Sequence, residues 1–228
     1  LISNYYVSGM PAVANTGLPP ANPAPRYNHQ QWSTWGASGL AGVWAEENTR
    51  TSIFAALRRK ETFATSGPRM RVRFFGGYGF GDDIFSKADM VTKAYARGVP
   101  MGGDLASKGA QSPEFLVWVT RDPASNALQR AQIVKGWIDA DGNTQEAVFD
   151  VACAGGAAVN AETQRCPENN ALVDVATCAT QADTGADELR AVWRDPTYVA
   201  GESAAYYARG LENPTCRWSS WDALRAGS

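Results

Sequence analysis

The chain has 228 residues, of which 44% are hydrophobic and 19% charged, and its formal net charge is −2. This composition is ordinary for a soluble globular protein with one large domain or two small ones. The slightly acidic charge balance excludes a surface that attracts nucleic acid or anionic membranes. No stretch approaches the roughly 18 consecutive apolar residues of a membrane-spanning helix.

The first 38 residues read as a long loop, because five prolines between Pro11 and Pro25 interrupt any regular element. The loop holds His29, the only histidine of the chain, which we interpret as a surface or packing residue. The first residue is Leu1, and no charged segment followed by an apolar one marks a signal peptide. We therefore expect the chain to lie inside a longer gene product.

A short strand followed by a helix is predicted between residues 39 and 67. An apolar run ends at Trp44, and the adjacent acids Glu46 and Glu47 come directly before a predicted helix over 49–62, with Asn48 or Thr49 as its N-cap. In barrels of alternating strands and helices, carboxylates at the end of a strand lie on the catalytic face. Glu46 and Glu47 are therefore candidate catalytic residues; the alternative is that they are solvated acids favoured by the helix dipole.

From Arg69 onward the hydrophobic period changes from 3.6 to 2, which predicts β-strands. Further strands are expected over 115–120, 132–138, 146–152, 189–193 and 204–211, with a possible bulge at Gly136. A short helix is expected over 86–97. Glycine, asparagine and proline turns separate the strands, so we predict a mainly β chain in which 68–228 form an antiparallel β-sandwich.

Four cysteines lie in the C-terminal third, at Cys153, Cys166, Cys178 and Cys216. Their spacing lacks the close pairs of a zinc site, and an even count indicates two disulfides and hence an oxidising compartment. Of the three possible pairings we favour Cys153–Cys166 and Cys178–Cys216, because the first spans a short Gly-rich loop and the second would hold the loop over 166–188 against the C-terminus. Free thiols and a metal site are the alternatives.

Two other stretches suggest ligand loops but fit other structures better. Residues 139–143 with Glu146 place glycine and glutamate at the wrong positions for a calcium loop, so a hairpin turn is expected. The glycine-rich stretch over 76–81 does not match a dinucleotide-binding fingerprint and reads as a loop.

Four stretches, in this order, carry a family resemblance: WAEENTR through IFAALRRKETFATSGPRMRVRFF, then GVPMGGDL, QIVKGWIDADG and YYARGLENPTCRWS. They resemble the C-terminal third of a bacterial family of large exported proteins grouped with the PHP (polymerase and histidinol phosphatase) metal-dependent hydrolases. The carbaryl-hydrolase-like metallohydrolases are similar. The resemblance implies that residues 1–67 are the C-terminal remnant of an α/β barrel, ending in its last strand and helix, and that 68–228 are the appended sandwich.

The same resemblance implies a divalent metal, held in the complete protein by His-x-His, Asp-His and Ser-Asp-x-His motifs. All of these motifs lie upstream of the matched region, and this sequence contains none of them. We therefore expect no metal site and no cofactor in this chain, and no activity of the chain on its own. The expected partners are the missing barrel portion or another copy of the chain, and the expected location is periplasmic or secreted.

Three functional hypotheses follow from these observations. The first is the C-terminal portion of an exported PHP-like hydrolase acting on esters of phosphate, sulfate or carbamate type, with Glu46 and Glu47 on the barrel rim. The second is a non-catalytic sandwich that binds a glycan or a partner protein through exposed aromatic residues. The third is a structural lid that stabilises the barrel or an oligomer.

Overall fold

In the computed structural model the described residues are 2–3, 39–81 and 83–226. They form a mainly β chain with antiparallel sheets, which confirms the predicted fold class at that level. The strands are β1 (Ile2–Ser3), β2 (Leu40–Val43), β3 (Thr62–Thr65), β4 (Arg71–Gly77), β5 (Gly98–Pro100), β6 (Glu114–Thr120), β7 (Leu128–Ile138), β8 (Thr144–Cys153), β9 (Leu172–Val173), β10 (Thr180–Gln181), β11 (Glu188–Arg194) and β12 (Ala204–Glu212). The helices are α1 (Arg50–Arg58), α2 (Met90–Arg97) and α3 (Trp218–Ala226), with 3₁₀ turns at Ile84–Ser86 and Ala154–Gly156.

Two sheets pack face to face to form the main core. One has the strand order β11-β6-β4-β5 and the other β12-β7-β8. Alternate residues of the central strands point inward, so that Phe74, Val117 and Ile133 are almost completely buried between the sheets. The period-2 pattern in the sequence therefore corresponds to the alternate residues that each strand turns into this core.

The outer face of the four-stranded sheet is also covered. Phe75 and Leu116 point to this side and pack against Phe80, Ile84 and Ala94, which come from the loop after β4, the first 3₁₀ turn and α2. The molecule therefore has a third, helical layer on one side of the sandwich, and it explains why β4 and β6 are apolar on both faces.

A small third sheet pairs Ile2–Ser3 near the N-terminus with the two strands on either side of α1. It has the order β1-β2-β3, with Leu40 opposite both Ser3 and Thr65. The rest of the predicted Pro-rich loop, including His29, lies outside the described residues, so the predicted loop over 1–38 can be compared only at Ile2–Ser3, where a short strand is found.

Two disulfides join Cys153 to Cys166 and Cys178 to Cys216, the pairing favoured by the sequence analysis. The first links the end of β8 to the loop that follows it. The second links the loop between β9 and β10 to the segment after β12. Between them lies a region with only two two-residue strands, so the cross-links hold chain that has little regular structure of its own.

Three local predictions are wrong. The predicted helix over 49–62 ends at Arg58, and the residues from Thr62 form a strand that the sequence analysis missed. Gly136 pairs regularly with Glu146 and Ala205, and the register of the β7–β8 pairing shifts between Ala131 and Gln132 instead, where Val151 of β8 has no opposite residue. Gly76 and Gly77, which the sequence places in a loop, belong to β4 and pair with β5. Position 77 requires glycine, because a side chain there would collide with Phe80 and the Arg97 carbonyl.

Candidate functional site

The segment after β2 places the two predicted acids at the start of α1. Thr49 is the N-cap, and its hydroxyl accepts a hydrogen bond from the backbone N–H of Ser52 at 3.3 Å. The hydroxyl of Ser52 in turn accepts the backbone N–H of Glu47 at 3.1 Å. The backbone before the helix is thus fixed, while Glu46 and Glu47 are both exposed.

A tight turn after α1 places a third acid, Glu61, which the sequence analysis overlooked. Lys60 has a left-handed φ of 61°, and its carbonyl lies so close to Gly102 that a Cβ there would be 2.3 Å away. The backbone N–H of Trp44 donates to the Glu61 carbonyl at 3.0 Å. This turn holds the Glu61 side chain inside the protein, where it is 3% exposed.

The buried carboxylate of Glu61 has a partner on each oxygen. The hydroxyl of Tyr95, on α2, donates to one oxygen, and the guanidinium of Arg59 lies 3.4 Å from the other. Burial raises the pKa of Tyr95, and the hydrogen bond to Glu61 and its negative charge raise it further. The ring of Tyr95 meets that of Phe75 edge-on, with centroids 5.0 Å apart, so the hydroxyl is held in place.

A second guanidinium, that of Arg73 on β4, stacks on Trp44. Its central carbon lies 3.7 Å from the ring centroid, and the indole N–H of Trp44 donates to the Val72 carbonyl at 2.8 Å. The positive charge of Arg73 lowers the pKa of Tyr95 but does not cancel the rise from burial and Glu61. Within residues 39–81 and 83–226 Arg73 forms no ion pair with a carboxylate.

These side chains surround one cavity of about 520 Å³. The lining residues come from the end of β2, the turn before β3, β4, α2 and β5: Trp44, Ala45, Glu46, Arg59, Glu61, Arg73, Tyr95 and Pro100. Glu46 belongs to this cavity, whereas Glu47 does not line it. The structure therefore brings one of the two predicted acids together with two guanidinium groups, a tyrosine hydroxyl and a buried glutamate.

Residues 6–228 match the profile of a family described as proteins of unknown function, DUF3604. The chain belongs to the DUF3604 family. No curated protein and no solved structure matches this DUF3604 chain.

The described part of the DUF3604 chain does not provide a metal site. No group of three or more His, Cys, Asp or Glu side chains is arranged to bind an ion within residues 2–3, 39–81 and 83–226. At the cavity, both oxygens of Glu61 are already taken by Tyr95 and Arg59, and two guanidinium groups repel a cation. These residues therefore do not fit the divalent metal that the family resemblance implies.

The two loops that suggested other ligands have structural roles in this DUF3604 chain. The carboxylate of Asp139 accepts the backbone N–H groups of Asp141 and Asn143, at 3.0 and 2.8 Å, within the turn between β7 and β8. The Gly-rich loop after β4 is held by a hydrogen bond within the chain, since the carboxylate of Glu114 accepts the backbone N–H of Phe80 at 2.7 Å. No helix in the described ranges has the length and apolar character needed to cross a bilayer.

Proposed function

We propose that this chain is the C-terminal portion of an exported PHP-like metal-dependent hydrolase that acts on esters of phosphate, sulfate or carbamate type. The observation that carries the proposal is the cavity at the end of β2, where Arg59, Arg73 and the Tyr95 hydroxyl converge beside Glu46. In this proposal the cavity recognises the polar head of the ester.

Arg73 is the residue best placed to bind an anionic oxygen. Its stacking on Trp44 fixes the guanidinium plane, and it has no carboxylate partner among the described residues. A guanidinium presents its N–H groups in a fixed fork that matches phosphate or sulfate oxygens. Arg59 borders the same cavity and is 46% exposed, so it is able to turn from Glu61 towards a ligand.

Glu46 is the carboxylate that we assign to proton transfer or to orienting the substrate, because it stands at the exposed side of the cavity. Glu61 has a different part in the proposal. Its buried charge fixes the Tyr95 hydroxyl and Arg59, and so it positions the two groups that would contact the ester.

The metal of the proposed hydrolase lies outside the residues described here. A divalent ion bound by upstream residues would supply the Lewis acid of such a reaction, and the role of this chain is to bind and orient the ester group.

Helix α1 offers the surface for the rest of the enzyme. Phe54 and Leu57 are 59% and 40% exposed, although they form the apolar face of the helix. We propose that the upstream barrel portion packs on this face, with another copy of the chain as the alternative. The two disulfides support an oxidising location, which in this proposal is the periplasm or the cell exterior.

Anion binding by the purified chain tests the first step. We expect inorganic phosphate or sulfate to shift the indole N–H resonance of Trp44 in a saturable way, and Arg73→Gln to weaken this binding at least tenfold. Arg71→Gln is the matched control, because Arg71 lies two residues away on the same strand and is exposed. Equal binding by both variants would refute the proposed role of the cavity.

The complete gene product tests the catalytic step. We expect Glu46→Gln to lower kcat for 4-nitrophenyl phosphate, sulfate or carbamate esters by about 100-fold or more. Glu47→Gln should leave kcat nearly unchanged, because Glu47 does not line the cavity. The hydrolase proposal fails if the complete product hydrolyses none of these esters with any divalent metal added.

A further inference from the structure

A larger cavity, a groove of about 970 Å³, lies where the edges of three sheets meet. We call it the edge groove. It is bordered by β12, the edge of the three-stranded sheet; by β5, the edge of the four-stranded sheet; and by β3, the edge of the small sheet. Its volume is in the upper part of the range of about 300 to 1,000 Å³ that is typical of ligand sites.

The open backbone of β12 faces this groove. Six consecutive residues over 204–209 line it, although neighbouring residues of a strand point to opposite faces of the sheet. Such an unbroken run indicates that the edge of the strand, and not one of its faces, borders the cavity. On its other side β12 pairs with β7 from Ala204 to Glu212. No backbone hydrogen bond is found on the open side of residues 204–209 within the described chain.

Within the part of the chain that the structure describes, this edge lacks the features that normally keep an exposed strand from pairing. Residues 204–208 read Ala-Ala-Tyr-Tyr-Ala, with no charge and no proline. The only irregularity of the β12–β7 pairing lies between Leu211 and Glu212, at the far end. Natural edge strands are usually protected by charged residues, prolines, bulges or a covering segment. An edge without these features is a template for an added strand.

The opposite walls of the groove also suit a peptide backbone. Thr62, Phe63 and Ala64 are three consecutive residues of β3, and they line the groove from another open edge. Phe74, Met101 and Leu105 supply apolar surface between the edges. A strand lying in the groove would thus find backbone groups along β12 and apolar contacts for alternate side chains.

The charges of the groove favour basic side chains on that strand. Glu202 and Asp104 line it, and Arg209 is the one cation among the described lining residues. Arg209 is occupied by the side-chain oxygen of Gln132, at 2.9 and 2.6 Å. Glu202 lies 3.1 Å from the Lys135 ammonium, which Asp195 also contacts at 2.9 Å, so this buried trio keeps one net negative charge.

We propose that the edge groove binds an extended, basic peptide segment, which adds to β12 as a fourth strand of the three-stranded sheet. Main-chain hydrogen bonds to 204–209 hold the segment, and its lysine or arginine side chains are attracted by Glu202 and Asp104. This site is separate from the anion cavity, although Pro100 borders both.

The test uses the full disulfide-bonded chain and an acetylated, amidated octapeptide of alternating valine and lysine. The matched control peptide has the same side chains but carries N-methyl groups on alternate backbone nitrogens, so it cannot pair along one edge. We expect saturable binding of the first peptide, with hydrogen-exchange protection of amides within 204–209, and at least tenfold weaker binding of the methylated one. Equal binding of both peptides, protection elsewhere in the chain, or no binding would overturn the proposal.

Two variants and a competing class of ligand test the proposed peptide site further. Ala205→Lys, which places a charge on the exposed edge, should weaken peptide binding at least tenfold, whereas Ala96→Lys, at an exposed position of α2, should not. Neutral glucose, xylose and N-acetylglucosamine hexasaccharides should not displace the peptide. Binding of a hexasaccharide in the groove without binding of the peptide would show a saccharide site and refute strand addition. Arg73→Gln should leave peptide binding intact, which keeps this test independent of the anion cavity.

Discussion

Lys135 and Asp195 form a buried ion pair between the two sheets of the sandwich. The Lys135 ammonium on β7 lies 2.9 Å from a carboxylate oxygen of Asp195, which directly follows β11, and the side chains are 1% and 0% exposed. Thr197 and Tyr206 complete the site: Thr197 donates its N–H to Asp195 at 2.7 Å, and Tyr206 donates its hydroxyl at 2.7 Å. A buried pair stabilises a fold only when its remaining bonds are satisfied, and here they are.

Lys135→Met should therefore destabilise the chain by about 3 to 5 kcal/mol, because the variant leaves the carboxylates of Asp195 and Glu202 without their cation. Urea unfolding followed by tryptophan fluorescence measures the loss. The matched control is Lys87→Met, which removes an exposed ion pair with Asp83 and should cause a change too small to resolve. A Lys135 variant as stable as the control would show that the pair adds nothing.

Acid should weaken the same pair. Burial by itself would raise the pKa of Asp195, but hydrogen bonds from Tyr206, Lys135 and Thr197 outweigh it and hold the pKa below its usual range. Asp195 therefore contributes stability above its unfolded pKa of about 3.9, and this contribution is lost as the pH falls through the lower folded value. Between about pH 5 and 2 the free energy of unfolding of Asp195→Asn should therefore fall less steeply than that of the native chain, because the variant has no carboxylate to protonate at this position.

The main strands of the sandwich are predictable because local signals decide them: runs of apolar and aromatic residues that end at turn residues. The predicted strands over 115–120 and 204–211 agree with β6 and β12 to within one residue at each end. The end of α1 was not predictable in this way. Lys60 adopts a left-handed conformation beside Gly102, which is 42 positions further along the chain. The sequence around Lys60 does not indicate that contact.

The candidate site was predictable only in part for the same reason. Glu46 stood out by its place after a strand, but Glu61 was assigned to the predicted helix and its burial depends on Tyr95, which comes from another element. The strand propensity of Thr62, Phe63 and Thr65 was the available signal for β3. It would have placed Glu61 at the head of a strand, and its partners would still have been unknown.

Glu61 should control the titration of Tyr95. The negative charge of Glu61 opposes loss of the phenolic proton, so Glu61→Gln should lower the pKa of Tyr95. Carbon-13 NMR of labelled tyrosine, with Tyr95→Phe to assign the signal, follows the change. Glu46→Gln is the control and should not move the titration, since Glu46 has no contact with the hydroxyl. If Glu46→Gln shifts it as much as Glu61→Gln, the described arrangement of the cavity is wrong.

The ionised side chain of Glu212, on β12, should lower the free energy of unfolding at pH 7 relative to an uncharged side chain at the same position. Its pKa is raised, chiefly because it is buried, and one carboxylate oxygen has no hydrogen-bond partner while the other accepts the Ser125 hydroxyl at 3.0 Å. For an acid with a raised folded pKa, ionisation opposes folding. The penalty is absent below the unfolded pKa of about 4.3 and complete above the folded value.

Glu212→Gln should therefore be more stable than the native chain at pH 7, and the difference should vanish near pH 4. Thermal unfolding at a series of pH values measures it. Glu162→Gln, at an exposed position in the loop after β8, is the control and should show no such pH-dependent gain. A Glu212 variant that is less stable than the native chain at pH 7 would contradict the prediction.

The Cys178–Cys216 disulfide should determine the order of the chain over 171–183. This region contains only β9 and β10, and Leu172 and Val175 are 64% and 74% exposed, so burial contributes little to its structure. The bridge spans 38 positions, and closing a loop of this size stabilises the folded chain by about 4 kcal/mol in the chain-entropy estimate.

In Cys178→Ser/Cys216→Ser we expect amide exchange over 171–183 to rise to the rate of an open loop while β6 and β7 stay protected. In Cys153→Ser/Cys166→Ser the effect should fall elsewhere, at the end of β8, because there the Cys166 N–H donates to the buried carboxylate of Asp150 at 2.7 Å. If both double variants exchange alike over 171–183, the region is ordered by something other than its own disulfide.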